Sequence, residues 1–137
     1  MARRRLDTNV LVRHITGDHP SLSPRATALL RRAELLQGHV TVSPVVIAEV
    51  VYVLQSPHLY ALTRPFIRDS LLPLIQLPAV HTPYKRLYPR IFDLYVNLNI
   101  GFPDAHEAAL AELASPPEIY SFDRSLDRVL TIRRLEP

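Results

Sequence analysis

The sequence of 137 residues contains no cysteine, no tryptophan, three glycines and one lysine. Without cysteine, the chain cannot form the disulfide framework of a small secreted scaffold. So few glycines exclude a collagen-like repeat, and no heptad pattern is sustained long enough for a coiled coil. Every apolar run is broken by a charge or a proline well before about 18 residues, so the sequence predicts no membrane-spanning helix.

The composition indicates a folded protein. Hydrophobic residues make up 47% of the chain and charged residues 21%, with a formal net charge of +3. A chain this apolar can offset the entropy lost on ordering, which argues against disorder. Its length predicts a single domain over residues 1–137, able to bury about two thirds of its unfolded surface. The basic start, Met1–Arg5, leads into no apolar core with a cleavage site, which predicts a cytoplasmic protein.

Arginine and proline are over-represented. Lys85 is the only lysine among 16 basic residues, a balance compatible with a polyanionic partner although +3 alone does not establish one. Several of the 13 prolines stand where a helix should begin. A serine precedes them at Ser23–Pro24 and Ser43–Pro44, the pattern of a cap followed by proline in the first turn. The predicted helices are Pro24–Leu36, Pro44–Gln55, Thr63–Gln76, Tyr84–Asn99 and Pro103–Ala114.

Strand signals are short. A first strand is predicted to end at Leu6, although Arg3–Arg5 are poor strand residues. Further strands are predicted at His39–Ser43, at Glu118–Phe122 as a buried strand, and at Val129–Leu135. Because helical segments separate the strands, the pattern predicts an α/β sandwich with a mostly parallel sheet.

Three aspartates fall at the ends of these elements. Asp7 follows the first strand, at the edge where open α/β sheets bind their ligands. Asp123 has the same kind of position after the strand at Glu118–Phe122, and Asp104 lies in the first turn of the helix that begins at Pro103. Each of them could also simply cap a helix or complement its dipole.

Glu49 is the only charged residue between Pro44 and Leu54, a stretch rich in valine. A helix that is apolar nearly all round is expected to be buried, and a buried carboxylate is costly unless it is paired or bound to a cation. The alternative is that Glu49 lies on a solvated stripe and pairs with an arginine. The other residues of that stripe would be Val45, Tyr52 and Gln55.

The four acids come from separate elements. Three or four carboxylates converging where strands end would repel one another unless a divalent cation lay among them. Oxygen ligands, with no cysteine and no histidine pair at zinc spacing, favour Mg²⁺ or Mn²⁺ over zinc. Of the six histidines, only His106, two residues after Asp104, could lie near such a site, and a packing or surface role suits it better.

Four segments resemble, in order and spacing, the motifs of PIN-domain nucleases, and most closely the VapC-type toxins of toxin–antitoxin pairs. They are Leu6–Val12 (LDTNVLV), Ser43–Leu54 (SPVVIAEVVYVL), Phe102–Ala109 (FPDAHEAA) and Ser121–Leu126 (SFDRSL). The resemblance implies a three-layer α/β/α sandwich with a short, mostly parallel sheet and a Mg²⁺ or Mn²⁺ site that cuts RNA. Two positions depart from the family pattern: Arg3–Arg5 replace aliphatic residues, and Pro103 replaces a small one.

The resemblance also implies roles for particular residues. The acidic site residues would be Asp7, Glu49, Asp104 and Asp123. Asp7 and Asp104 are expected to be the main metal ligands, and Asp123 a ligand directly or through water. Glu49 would be a second-site ligand or the group that orients and deprotonates the attacking water. Thr8 or Asn9 would support Asp7, and the products would carry a 5′ phosphate and a 3′ hydroxyl.

Substrate and partners are predicted less directly. Guanidinium groups bind phosphate bidentately, although any single arginine is more readily explained as a solvated surface residue. The arginines that could contact RNA are Arg13, Arg124 and Arg128, with Arg86 and Arg90 as further candidates. The resemblance implies a homodimer that is held inactive by a small antitoxin protein, with no membrane partner.

Four other functions are compatible in part with the sequence. A related ribonuclease could act in RNA processing without an antitoxin, and an inert PIN fold could serve interaction alone, although all four acids are present. An aspartyl-phosphate phosphatase requires a second aspartate two residues after the first, where this chain has Asn9. A receiver domain requires an acidic pair near the start and a late lysine, which Lys85 supplies poorly.

Overall fold

A computed structural model describes residues 3–35 and 39–137. The chain divides into two compact units, Met1–Lys85 and Arg86–Pro137. The elements of the first unit are β1 (Arg3–Arg5), α1 (Thr8–Thr16), α2 (Leu22–Glu34), β2 (His39–Thr41), α3 (Pro44–Gln55), α4 (Arg64–Ile75) and β3 (Val80–His81). Those of the second are α5 (Tyr88–Asn97), α6 (Phe102–Ala111), β4 (Glu118–Tyr120) and β5 (Arg133–Leu135), with a 3₁₀ segment at Arg124–Arg128.

The first unit contains a parallel sheet in the order β1-β2-β3. The ladder continues one residue past β1, because the Leu6 N–H donates to the Thr41 carbonyl at 2.9 Å. Arg3–Arg5 do form the predicted first strand, with all three side chains exposed, and Leu6 is the first buried residue of the segment. Backbone hydrogen bonds to β2 therefore hold β1 in the sheet, although its arginine side chains bury no apolar surface.

Helix α3 begins and ends where the sequence predicts. The Ser43 hydroxyl accepts a hydrogen bond from the Val46 N–H at 3.1 Å, and Pro44 occupies the first turn. Residues Ile47, Val50 and Leu54 of α3 are fully buried. Burying a side chain of this size contributes about 1.5–3 kcal/mol.

Helix α2 begins two residues earlier than predicted. Ser23 does not cap it: the side chain is buried inside the first turn, and its hydroxyl accepts a hydrogen bond from the His19 N–H at 3.1 Å. The predicted end at Leu36 lies outside the described residues. Helix α4 continues two residues beyond Pro73, because a proline so near the end of a helix removes only one backbone hydrogen bond.

The second unit has an aromatic core between α5 and α6. The Phe102 ring lies 5.2 Å from that of Phe92 and 5.6 Å from that of Tyr95, measured between centroids. Helix α5 begins at Tyr88, four residues after the predicted Tyr84. A helix starting at Tyr84 would place Pro89 in its interior, whereas the observed start places it in the first turn. Helix α6 ends three residues before the predicted Ala114.

Strands β4 and β5 pair in parallel. Both are shorter than predicted, and the prediction of a buried strand at Glu118–Phe122 was wrong. Tyr120 is 72% exposed and Phe122 74% exposed. Among the described residues, β4 pairs with one strand only, β5. These aromatic side chains are therefore left uncovered although the segment is apolar. The first part of Val129–Leu135 forms turns, and pairing begins only at Arg133.

Every strand pairing in the described residues is parallel, and helices separate the strands of the first unit. The predicted α/β class with short parallel sheets is therefore confirmed. Within residues 3–35 and 39–137, no helix combines the length and apolar character that crossing a bilayer requires. That residues 1–137 form a single domain stays a prediction.

Candidate active site

Asp7 lies at the carboxyl end of β1 and is the N-cap of α1. Its carboxylate accepts a hydrogen bond from the Thr8 N–H at 2.8 Å, and its side chain is exposed. The position at a strand end is the one predicted from the sequence. The capping role is also realised, so Asp7 serves the helix while one side of its carboxylate stays open to solvent.

Thr8 connects α1 to Glu49 on α3. The threonine is buried, and its hydroxyl donates to the Glu49 carboxylate at 3.0 Å. One residue thus donates to two carboxylates, with its backbone N–H to Asp7 and its side chain to Glu49. Sequence reasoning gave Thr8 a supporting role toward Asp7 alone and missed its bond to Glu49.

Glu49 is exposed, so the expectation that it is buried was wrong. It lies on a solvated stripe of α3 with Val45 and Tyr52, which are 75% and 72% exposed. Positions four and three residues apart share one helix face, and the opposite face carries the buried residues. The alternative of a solvated stripe is therefore correct. Within the described part of the chain, Glu49 forms no ion pair with arginine and is bonded to Thr8 instead.

The other two acids lie in the second unit. Asp104 is half-buried in the first turn of α6. Asp123 is exposed and caps the 3₁₀ segment, where its carboxylate accepts a hydrogen bond from the Ser125 N–H at 2.9 Å. Ser125 was missed by the sequence reasoning. A serine two residues after an aspartate is a recognised turn pattern and could have indicated it.

Asp104 and Asp123 interact directly. Burial, and next the negative charge of Asp123, raises the pKa of Asp104 above its ordinary value. Hydrogen bonds from Ser125 lower the pKa of Asp123. Interaction with Asp104 in turn contributes to the lowered pKa of Asp123, so each carboxyl group affects the ionisation of the other. A bound cation would relieve the repulsion between the two carboxylates.

The donor chemistry of this pair fits a hard divalent cation. Mg²⁺ is commonly bound through one or two carboxylates and keeps several waters, so Asp104 and Asp123 offer a sufficient protein share. Among the described residues, no group of three or more histidine, cysteine, aspartate or glutamate side chains is placed to hold a metal. The acids are found as two pairs, one in each unit, and the convergence of three or four carboxylates stays a prediction.

The arginines proposed to contact RNA differ in how far they are already engaged. Arg13 forms an ion pair with Asp18 at 2.9 Å. Arg128 donates to the carbonyls of Leu98 and Asn99 at 3.2 and 3.0 Å. Arg124 is exposed next to Asp123. It is therefore the member of the predicted set best placed to meet a ligand of the second unit.

The remaining candidates divide in the same way. Arg90 binds Glu112 at 2.8 Å and Asp93 at 2.6 Å, so its guanidinium is committed, whereas Arg86 is exposed. His106 is half-buried, with its ring edge-on to that of Tyr88 at a centroid distance of 6.0 Å. The packing role suggested for His106 is the one observed.

Asn9 is exposed in the first turn of α1 and lines a groove between α1 and α2. A supporting contact from Asn9 to Asp7 stays a prediction. Among the described residues, the hydrogen bonds to carboxylates at this end of α1 are those that Thr8 donates.

No curated protein matches the chain. The model of the PIN domain family matches residues 5–130, which include all four acids and most of each unit. The chain therefore belongs to the PIN domain family. The fold of this family is of nuclease type, and its activity generally depends on a divalent metal.

Proposed function

We propose that this PIN-domain protein is a divalent-metal-dependent ribonuclease that hydrolyses RNA phosphodiester bonds, with Mg²⁺ or Mn²⁺ as cofactor. The observation that carries the proposal is that Asp104, in the first turn of α6, and Asp123, at the cap of the 3₁₀ segment, are close enough for the charge of Asp123 to raise the pKa of Asp104. Such a pair stabilises the fold poorly by itself. It is an arrangement suited to binding a cation.

The proposed ligands are Asp7, Asp104 and Asp123. A divalent ion bound there would polarise a phosphoryl oxygen and lower the pKa of the attacking water. Asp123 is held in position by Ser125, and Asp104 by the first turn of α6. Both carboxylates are thus aimed by short local structure rather than by long flexible side chains.

In this proposal Glu49 orients the attacking water and accepts its proton. Its exposed carboxylate keeps lone pairs free for water while Thr8 fixes one oxygen. The backbone N–H of Thr8 also donates to Asp7, so the two acids of the first unit take their orientation from one residue. Arg124 is the proposed contact to RNA phosphate in the second unit, with Arg13 and Arg128 as weaker candidates.

The finer proposal is that the protein is the toxin of a VapBC-type pair, acting as a homodimer and inhibited by a small antitoxin. Its support is the likeness of the four sequence segments to VapC-type toxins. Induced expression in bacteria should arrest growth, and co-expression of a short neighbouring reading frame should restore it. Growth that is unaffected by expression of an active enzyme would instead favour a ribonuclease of RNA processing.

The test of the enzymatic proposal is cleavage of a structured RNA by purified protein with Mg²⁺ or Mn²⁺. We expect cleavage that excess EDTA abolishes and that Asp7→Asn removes while the circular dichroism spectrum is unchanged. Asp69→Asn is the matched control, because Asp69 is exposed on α4 and pairs with Arg68. Cleavage that persists in EDTA, or in Asp7→Asn, would contradict the proposal. Absence of both cleavage and metal binding would leave the inert interaction module.

A further inference from the structure

A groove of about 560 Å³ lies between α1 and α2 in the first unit. Three arginines line it: Arg13 from α1, and Arg25 and Arg32 from α2. No acidic residue is among the residues that line it. A concave surface whose charged groups are all of one sign attracts and orients ligands of the opposite sign.

The charge of this groove is only partly balanced. Arg13 is engaged by Asp18, whose carboxylate oxygens lie 2.9 and 3.0 Å from its guanidinium. Arg25 and Arg32 are exposed, and within the described residues neither has an ion-pair partner. Two guanidinium groups with all their donors available can each bind a phosphate bidentately.

Arg25 and Arg32 lie on one face of α2. They are seven residues apart, so their backbone positions are about two turns, or roughly 11 Å, apart along the helix. The spacing fits an extended ligand that carries repeated negative charges.

The floor of the groove is apolar, and its charged rim is entirely basic. Leu22, Ala26 and Leu29 lie on the floor, with Arg25 and Arg32 beside them on the same helix. Unpaired guanidinium groups with no acidic neighbour in the lining favour a polyanion, and cations that follow a sugar–phosphate backbone are the main contacts of a bound nucleic acid strand. An acidic helix could use the same apolar residues, so the binding experiment includes an acidic peptide.

The groove also reaches the first candidate acid. Asn9 lines it and stands two residues after Asp7, at the start of α1. We infer that the α1–α2 groove binds a single-stranded segment of RNA, with phosphates at Arg25 and Arg32, and leads the strand toward Asp7. This inference rests on the proposed function and adds a binding track that the sequence analysis did not predict.

Binding measured without metal tests the inference separately from cleavage. The fluorescence anisotropy of a labelled 12-nucleotide oligouridylate would be followed in EDTA at several salt concentrations. The double variant Arg25→Gln/Arg32→Gln is expected to bind about tenfold more weakly. Its slope of log affinity against log salt should be shallower by about 1.4, the value for two lost phosphate contacts to a single strand.

The matched control is Arg4→Gln/Arg133→Gln, which removes the same charge at two exposed strand positions that do not line the groove. It should keep the wild-type slope. Equal affinity and slope in the two double variants would overturn the inference. Tighter binding of poly-L-glutamate than of the oligouridylate, lost in Arg25→Gln/Arg32→Gln, would also overturn it, because the groove would then be a protein-docking surface.

The cleavage assay separates this inference from the proposed function. With Mg²⁺ present, the loss in Arg25→Gln/Arg32→Gln should fall on KM. A wild-type KM in an active variant would overturn the groove and leave the ribonuclease proposal intact. Wild-type protein that binds RNA through these arginines but never cleaves it would support the groove and contradict the ribonuclease.

Discussion

Asp7 and Glu49 in the first unit are both bonded to Thr8, whereas Asp104 in the second unit is acted on by the negative charge of Asp123. The first pair is exposed and takes its orientation from a buried neutral donor. The second pair includes a half-buried carboxyl whose pKa is raised by burial and by its neighbour's charge. The first pair is therefore held by hydrogen bonds within the protein, whereas the second carries a repulsion that a bound cation would relieve.

This difference suggests a division of labour. Carboxylates under mutual repulsion are suited to binding a cation, because binding relieves an unfavourable interaction. Carboxylates that are held by a hydroxyl and a backbone N–H are suited to positioning water or a further ligand, because their geometry is fixed in advance.

The largest effect is expected from Asp104→Asn and Asp123→Asn. Each removes a proposed ligand of the coupled pair, so the affinity for Mn²⁺ measured by calorimetry should fall by more than the roughly 10–100-fold that a supporting residue costs. Glu107→Gln is the matched control, as an exposed acid on the same helix as Asp104. Wild-type affinity in either aspartate variant would refute the contrast between the two pairs.

Thr8→Val should give a smaller effect of a different kind. The change removes the hydroxyl bonded to Glu49 and keeps the backbone N–H bonded to Asp7, so cleavage should fall roughly tenfold. Metal affinity should change little. Thr16→Val makes the same substitution in the last turn of α1 and should leave cleavage near the wild-type rate. If Thr8→Val weakens metal binding as strongly as Asp104→Asn, the division of labour is wrong.

The interaction between Asp104 and Asp123 can be measured by carbon NMR titration of the carboxyl groups in metal-free protein. Asp123→Asn should lower the pKa of Asp104, since the neighbouring charge is removed while burial remains. Ser125→Ala should raise the pKa of Asp123, whose depression comes first from the Ser125 hydroxyl. A pKa of Asp104 that does not respond to Asp123→Asn would show that burial alone raises it.

The two units should also differ in their response to mild acid. Burial lowers the pKa of His14 and of His81 in the first unit, so the fold favours their neutral forms. The unfolded chain then binds more protons, and stability present above about pH 6.5 is lost as the pH falls below it. In the second unit, a hydrogen bond from Arg90 lowers the pKa of Glu112. The stability that this bond contributes is therefore lost only at a pH below the ordinary pKa of a glutamate.

Hydrogen-exchange protection factors at pH 7 and 5.5 would measure this smallest effect. Amides of α1 should lose protection while those of α6 keep it. His14→Gln should reduce the loss in α1. Equal loss of protection in both units would contradict the assignment to the histidines of the first unit.

Local chemistry accounts for the parts of the fold that the sequence predicted well. Helix α3 has a serine cap and a proline in its first turn, and both act within a few residues, so its bounds follow directly. Ser23–Pro24 has the same local pattern, but His19 offers Ser23 another partner, and α2 begins earlier.

Burial was harder to predict because it depends on what lies opposite a side chain. Glu49 and Tyr120 stand in apolar stretches, and both are exposed. The residue types of the candidate site were accessible from the sequence, as was their place at strand and helix ends. The bond from Thr8 to Glu49 was not, since it joins residues 41 positions apart through a contact that no local pattern encodes.

The two hydrogen bonds that Thr8 donates differ in how readily a substitution would remove them. The N–H that holds Asp7 belongs to the backbone and survives every substitution except proline, whereas the hydroxyl that holds Glu49 survives only in serine or threonine. Drift at position 8 would therefore release Glu49 first and leave Asp7 anchored. In related chains, the residue found at this position should report whether Glu49 is still under selection.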